Sequence, residues 1–402
     1  MRLKEVCGKV ILDSRREKTI QAIVKTEKGV FTASSPSGKS KGRNEKPAFI
    51  KNVENDIETI RNFSEKISEL NFGEFSDLSK MENMLRGKIG ANTLFALETA
   101  VLKALASDRK EGLWQLINPR AKKIPFPAGN CIGGGLHSQL VRGLKPDFQE
   151  FLIMPKTNRF SDNVFLMRKA WKICGEELKV RRAEGKLNDE NAFSTCLSNE
   201  EVLEIMQRVK EELEEQVGKE IYIGADIAAS SFYTGLIYNY KNFKIKDKKR
   251  LNKKEQADYI LDLVDKYNID YIEDPLQEED FLGFSYLRGK MVRARPTSII
   301  VGDDLTVSSL DRFKKALNMK SINAIILKPN QTGSLLEIAE IVRLAKKYAL
   351  KTVMSHRSGE TFDNALADLS FAFQTDYIKT GITGKEREAK LRRLIEIEKN
   401  MG

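Results

Sequence analysis

Residues 298–331 read Ser-Ile-Ile-Val-Gly-Asp-Asp-Leu-Thr-Val-Ser-Ser-Leu-Asp-Arg-Phe-Lys-Lys-Ala-Leu-Asn-Met-Lys-Ser-Ile-Asn-Ala-Ile-Ile-Leu-Lys-Pro-Asn-Gln. An apolar run at 298–301 leads to two acids, Asp303 and Asp304, and a second at 324–327 ends in a base, Lys328. Between them Leu310, Phe313 and Leu317 recur at the i, i+3, i+7 spacing of a helix laid on a sheet, with Ser308 or Ser309 as N-cap. Strand, crossover helix and strand make one right-handed unit with parallel strands. Neighbouring strands lie about 4.8 Å apart, which sets Asp303 and Lys328 side by side at strand tips. Taken alone, that acid and amine read more readily as a rim salt bridge than as chemistry.

The same alternation runs outward in both directions. Apolar runs at 128–132, 148–154, 221–227, 271–273, 298–301, 324–327, 352–355 and 377–379 predict eight strands closing into an α/β barrel. About 15 residues join the first two, too few for a crossover helix, so that pair is expected to be antiparallel and the ring not a regular (β/α)8. Helices are expected over 163–183 and 199–216. Residues 1–121 read as a separate α+β capping domain, with strands at 10–13, 19–24 and 30–33 and helical patterning over 52–108, where Leu94, Leu97, Val101 and Leu105 share a face. Its stretch 34–43 is rich in Gly, Ser and Pro and reads as a mobile loop; residues 122–402 form the barrel domain.

Bulk properties narrow the class. A 402-residue chain with 41% hydrophobic and 31% charged residues is that of a soluble globular protein. No apolar run approaches the ~20 residues of a bilayer span, and the N-terminus lacks a signal-peptide core. Cys7, Cys131, Cys174 and Cys196 have no metal-ligand spacing and read as reduced thiols of a cytoplasmic protein. The net charge of +11 and the Lys-rich run 244–254 leave nucleic acid open as a partner, but without an aromatic platform the run reads as a solvated loop.

Barrel active sites form where strands end. The expected ends carry Glu150, Asp226, Glu273, Asp303, Lys328, His356-Arg357-Ser358 and Lys379. Singly, Glu273 could be a helix cap, His356 a satisfied core histidine and Lys379 a snorkelling rim residue. Together they are too many buried charges to leave without a ligand or a partner. Asp226, Glu273 and Asp303 offer only carboxylate oxygens, which suits Mg2+ rather than zinc. Beside a divalent cation Lys328 and Lys379 are expected to have depressed pKa values, making a lysine base usable near neutrality. Arg357 with Ser358 suits a phosphate or carboxylate. Asp189-Glu190, in a polar loop with no strand to explain it, offers an acid to help a hydroxide leave. These parts describe proton abstraction alpha to a carboxylate, followed by loss of a β-hydroxyl.

The residues also carry a family resemblance. Ile11-Leu-Asp-Ser-Arg15, Pro36-Ser-Gly38, Gln149-Glu-Phe151, Asp226-Ile-Ala-Ala-Ser230, Ile272-Glu-Asp-Pro275, Gly302-Asp-Asp-Leu-Thr-Val307, Ser355-His-Arg-Ser-Gly-Glu-Thr361 and Ile378-Lys-Thr-Gly381 follow in the order found in enolases. The chain resembles enolase (phosphopyruvate hydratase) over nearly its whole length, as a divergent, archaeal-type member; a lysine or histidine base with Mg2+ is the known pattern of that superfamily. The resemblance implies an α+β cap on a ββαα(βα)6 barrel and Mg2+-dependent conversion of 2-phosphoglycerate to phosphoenolpyruvate in glycolysis and gluconeogenesis. It implies Lys328 as base and Glu190 as acid, with Glu150, His137, His356 and Lys379 contacting substrate and Arg357 with Ser358 clamping phosphate. Asp226, Glu273 and Asp303 would hold the first Mg2+, Ser40 would complete a second site, and the assembly would be a homo-oligomer, a dimer or an octamer. The other readings are a relative acting on another acid and a non-catalytic binding protein.

Several loops depart from the family pattern. Ser37-Gly-Lys-Ser-Lys-Gly42 stands for the usual Ser-Gly-Ala-Ser-Thr-Gly, Asn188-Asp-Glu-Asn-Ala192 for Gly-Asp-Glu-Gly-Gly, and Gly133-Gly-Gly135 for Asn-Gly-Gly. Ala228-Ala-Ser-Ser-Phe232 stands for Ala-Ala-Ser-Glu-Phe. Losing two glycines as Asn191 and Ala192 restricts φ > 0 and is expected to shift Glu190. Lys39 and Lys41, flanking Ser40, either weaken the second Mg2+ by repulsion, partly replace it as a counter-charge for phosphate, or point into solvent.

Overall fold

The computed structural model describes residues 1–39, 42–243 and 250–401. Three strands open the chain as an antiparallel meander: β1 (Glu5–Leu12), β2 (Lys18–Thr26) and β3 (Gly29–Ser34). Alternating Ile20, Ala22 and Val24 bury one face of β2, as period-2 patterning requires, against the helices Val53–Ser68 and Ala91–Arg109. Asn52 caps the first of these through the Asn55 N–H. The second helix is buried nearly all round, Leu97, Val101 and Leu105 included, because it lies between the cap sheet and the barrel.

The barrel begins with β4 (Phe126–Gly133) and β5 (Glu150–Pro155), which pair antiparallel as expected. The helix Phe160–Val180 follows, and then a hairpin of β6 (Glu184–Leu187) and β7 (Phe193–Thr195), which the sequence reading missed. Three of the four β6 residues are exposed, so no alternation marks it. β7 adds alongside β4, so Asp189-Glu190 sits at a hairpin tip rather than in an isolated polar loop. After the helix Asn199–Val217 comes β8 (Ile221–Asp226), antiparallel to β5. A small sheet of β9 (Tyr233–Thr234), β10 (Ile237–Asn239) and β11 (Arg250–Leu251) stands outside the ring. Of the basic run 244–254, residues 244–249 lie outside the described residues.

The parallel part comprises β12 (Tyr271–Glu273), β13 (Ile299–Gly302), β14 (Ala324–Leu327), β15 (Lys351–Ser355) and β16 (Tyr377–Lys379), and β16 pairs with β4 to close the barrel. Inward-facing Ala128, Leu152, Tyr271, Val301 and Ile326 fill an apolar layer inside the ring. The crossover helix is Leu310–Asn318, but neither serine caps it by its side chain. Instead Ser308 Oγ donates to Gln331 Oε1 at 2.6 Å and accepts the Lys328 N–H at 2.8 Å, tying the ends of β13 and β14 together. Among the described residues no helix is long and apolar enough to cross a membrane.

Cap and barrel meet through buried polar groups. Glu98, fully buried on the cap helix, accepts the Leu335 N–H at 2.7 Å and so caps a barrel helix, Leu335–Lys347, from the other domain. Burial, then the neighbouring Glu82, hold the Glu98 carboxyl well above its ordinary 4.5. The folded chain therefore binds this proton more tightly than the unfolded one, and stability falls as pH rises above 4.5 until the folded pKa is passed. Glu98→Gln keeps an acceptor and removes that loss. Its Tm is expected to match wild type near pH 4 and to exceed it increasingly toward about pH 8. Parallel Tm profiles for the two proteins would rule this out.

Candidate active site

The strand register builds the site. Glu273 lies beside Asp226, Glu150 opposite Asp226, and Ser355 beside Lys379, which places one polar band at the C-terminal ends of the parallel strands. At its centre Lys379 Nζ lies 2.9 Å from Glu150 Oε2, 3.2 Å from Asp226 Oδ2 and 3.0 Å from Glu273 Oε2, all four side chains at most 4% exposed. Burial alone would lower the lysine pKa, but Glu150, Glu273 and Asp226 hold it well above its ordinary value. Burial, then Asp226, push the Glu273 carboxyl well up, and Tyr271 donates to it. Lys328 pairs with Asp303 as the sequence placed it; burial pulls its pKa down, yet Asp303 leaves it raised. Both directions are set by the surrounding carboxylates; the depression expected beside a divalent cation belongs to a different electrostatic condition.

A second group faces this one. His137 Nδ1 lies 3.5 Å from Glu150 Oε1 and 3.6 Å from Glu190 Oε1, and His356 Nε2 lies 3.9 Å from Glu190 Oε2. Burial lowers the His137 pKa, but Glu150 and Glu190 leave it raised; His356 is pushed well below its ordinary value by burial, then by Arg387. Burial raises Glu190, but His137 and Arg387 outweigh it and lower the carboxyl. The hairpin keeps its left-handed position without glycine: Asn191 adopts φ 62°, which Asn tolerates, and its Nδ2 donates to Thr383 O at 3.2 Å.

Arg357 and Ser358 close the other side. Arg357 Nη2 lies 3.1 Å from both carboxylate oxygens of Glu45, a cap residue. Ser358 Oγ accepts the Lys39 N–H at 2.8 Å and Arg15 Nη1 at 3.3 Å. A Cβ at Gly38 would lie 1.9 Å from the Arg357 guanidinium, so the cap loop rests on that arginine only as glycine. Glu360 accepts the Arg357 N–H at 3.2 Å and Lys390 Nζ at 2.6 Å, and fully buried Arg387 donates to Ser358 O at 2.8 Å. Sequence reasoning gave Arg15, Glu45, Arg387 and Lys390 no role; only Arg15 lay in a quoted motif. Ser40 and Lys41 lie outside the described residues. Lys39 is exposed, and its Nζ pairs with Asp189 Oδ2 at 3.0 Å.

Among the described residues, the acid-rich groups whose ligand atoms lie within 4.8 Å of one another are His137–Glu150–Glu190 and Asp274–Asp303–Asp304, so of the expected ligands Asp226, Glu273 and Asp303 only Asp303 falls in such a group. Asp226 and Glu273 turn onto Lys379 and Asp303 onto Lys328, since like charges converge only on shared positive charge. The donor chemistry still fits a hard cation. Asp303 Oδ1, Gln149 Oε1 and both amide atoms of Asn130 are buried without a hydrogen-bond partner among the described residues, an arrangement that invites a polar ligand. Gly38, His137, Glu150, Glu190, Asp226, Lys328, His356, Arg357, Ser358 and Lys379 line one cavity.

Residues 3–117 match the family described as Enolase, N-terminal domain, and residues 121–402 match Enolase, C-terminal TIM barrel domain. The chain belongs to the enolase family. Enolase of Natronomonas pharaonis is 36% identical over 412 residues, covering 99% of each chain. Enolase of Methanosphaera stadtmanae is 34% identical over 417 residues, covering 99% of this chain and 97% of that one. Enolase of Methanocorpusculum labreanum is 36% identical over 417 residues, again 99% of each. Family membership makes the chain an enzyme of the lyase class, a hydro-lyase. Within this enolase-family site the Lys390–Glu360 pair is 2% and 3% exposed. Lys390→Met strands a buried carboxylate and is expected to lose about 3–5 kcal/mol in urea unfolding, part of which Glu360→Gln added to it restores. A loss under about 1 kcal/mol, the range of exposed pairs, would show that the pair is not holding the Ser355–Thr361 loop.

Proposed function

We propose that the chain is a phosphopyruvate hydratase, removing water from 2-phosphoglycerate to give phosphoenolpyruvate in glycolysis and gluconeogenesis. The observation that carries this reading is one cavity lined by a half-buried base, a buried acid and a guanidinium–hydroxyl pair: Lys328, Glu190 and Arg357 with Ser358. Arg357 and Ser358 bind the phosphate by directed hydrogen bonds. His356 and Lys379 contact the rest of the substrate. Lys328 Nζ takes the alpha proton. Its charge is held by Asp303, and with that carboxylate engaged elsewhere, burial favours the neutral amine. The hydroxide departs as water on a proton delivered through Glu190; because His137 and Arg387 keep that carboxyl lowered, the proton reaches it from the raised His137 imidazole 3.6 Å away.

Asp226, Glu273 and Asp303 would hold Mg2+, and Ser40 would complete a second site. Bound there, the metal supplies positive charge against the charge that develops on the substrate carboxylate. Residues 1–121 serve as the cap and 122–402 as the barrel in this reading, which the Lys39 N–H bonded to Ser358 Oγ across the two supports. A cytoplasmic homo-oligomer, dimer or octamer, belongs to the same reading and rests on the family alone.

The purified protein is expected to dehydrate 2-phosphoglycerate with Mg2+, to stop with EDTA and to recover when Mg2+ is returned. Lys328→Ala should lower kcat about 100- to 10,000-fold, the scale of a removed general base, with KM changed far less. A wild type without turnover at saturating Mg2+ sinks the proposal.

A further inference from the structure

We propose that Asn188 is a positioning residue for Glu190, and that its side chain occupies space made available by glycine at 133. The inference rests on the reading of Glu190 as the acid. Asn188 Oδ1 accepts the N–H of Glu190 at 2.9 Å and the N–H of Ala192 at 3.0 Å, so one amide oxygen folds the hairpin tip around the acid. The same amide's Nδ2 reaches Ser138 Oγ at 3.3 Å, on the loop that carries His137. One side chain therefore links the backbone of Glu190 to the neighbouring loop of its imidazole partner.

That bridge exists because position 133 is glycine. A Cβ there would lie 2.3 Å from Asn188 Nδ2 and 2.8 Å from Ser138 Oγ, closer than any real Cβ contact. Any side chain at 133 would push the Asn188 amide aside and break the contact it makes with Ser138. The two departures from the family pattern, Asn to Gly at 133 and Gly to Asn at 188, are therefore one exchange: the amide has moved from the strand end to the hairpin. An asparagine restored at 133 would bring its own amide into the space the Asn188 amide now fills.

The substitutions Asn188→Ala, Gly133→Asn and the double change Gly133→Asn with Asn188→Gly test this. Asn188→Ala and Gly133→Asn should each lower kcat for 2-phosphoglycerate about 10- to 100-fold, the scale of a displaced catalytic group, with KM little altered. The double variant should recover most of the loss. The proton NMR titration of His137 reports the same geometry without substrate. Because Glu190 helps to raise that pKa, it should fall in both single variants and return in the double. Unchanged kcat and unchanged His137 titration in Asn188→Ala, or a double variant worse than either single, would overturn the proposal. A wild type inert toward 2-phosphoglycerate would sink the enolase reading instead, and the His137 titrations would still decide the role of Asn188.

Discussion

The rest of the active site is arranged around one buried ammonium, Lys379, held by three carboxylates. Glu150, Asp226 and Glu273 come from three consecutive strands of the ring, and their convergence would be strongly repulsive without positive charge at its centre. One lysine does not balance three acids. Burial first, and then the neighbouring carboxylates, raise the Glu273 and Asp226 carboxyls. Excess negative charge in a dry site favours binding a further cation, which ties the charge deficit to the proposed Mg2+. The antiparallel β4–β5 pair matters for the same reason: it lets Glu150 reach the centre from the opposite chain direction.

The site is finished across the seam between cap and barrel. Glu45 of the cap accepts Arg357 Nη2 and also Gln331 Nε2 at 3.2 Å, and Gln331 is bonded to the Ser308 hydroxyl that holds the Lys328 N–H. The guanidinium proposed for phosphate and the backbone of the proposed base therefore share one hydrogen-bonded chain. Lys103 with Asp363, and the Ser37–Gly359 bridge, fasten the same seam. Because these groups are buried or half-buried, docking of the cap and alignment of the site are coupled in energy rather than merely adjacent.

What the sequence revealed follows from what periodicity encodes. Strand tips are read from the end of an apolar run, so Glu273, Lys328 and Lys379 were placed on elements whose limits the structure reproduces. The β6–β7 hairpin was illegible because its exposed residues carry no burial pattern. Residues that act through space from other elements were equally silent: Glu45 lies in a loop, and nothing along the charge-rich helix Lys385–Met401 marks Arg387 as fully buried. Ionisation state is the least local property of all. The strand spacing put Asp303 beside Lys328, but the sign of the lysine's shift depends on how burial and that carboxylate balance, which no spacing along the chain records.

The divergent loops show how a charged site tolerates drift. Loop 37–42 gained Lys39 and hairpin 188–192 lost its glycines, yet the two segments meet in a Lys39–Asp189 ion pair. Asn191 takes over a left-handed position at little cost, and its amide fits because residue 384 is glycine, whose Cβ would lie 2.3 Å away. Lys39, Asn188 and Asn191 therefore each sit opposite a residue that accommodates it, in volume or in charge. Buried groups such as Lys379 have no such freedom, since any alteration there leaves three carboxylates without their counter-charge. Divergence accordingly collects in the loops around the cavity, where a neighbour can adjust, and leaves the charges at its floor in place.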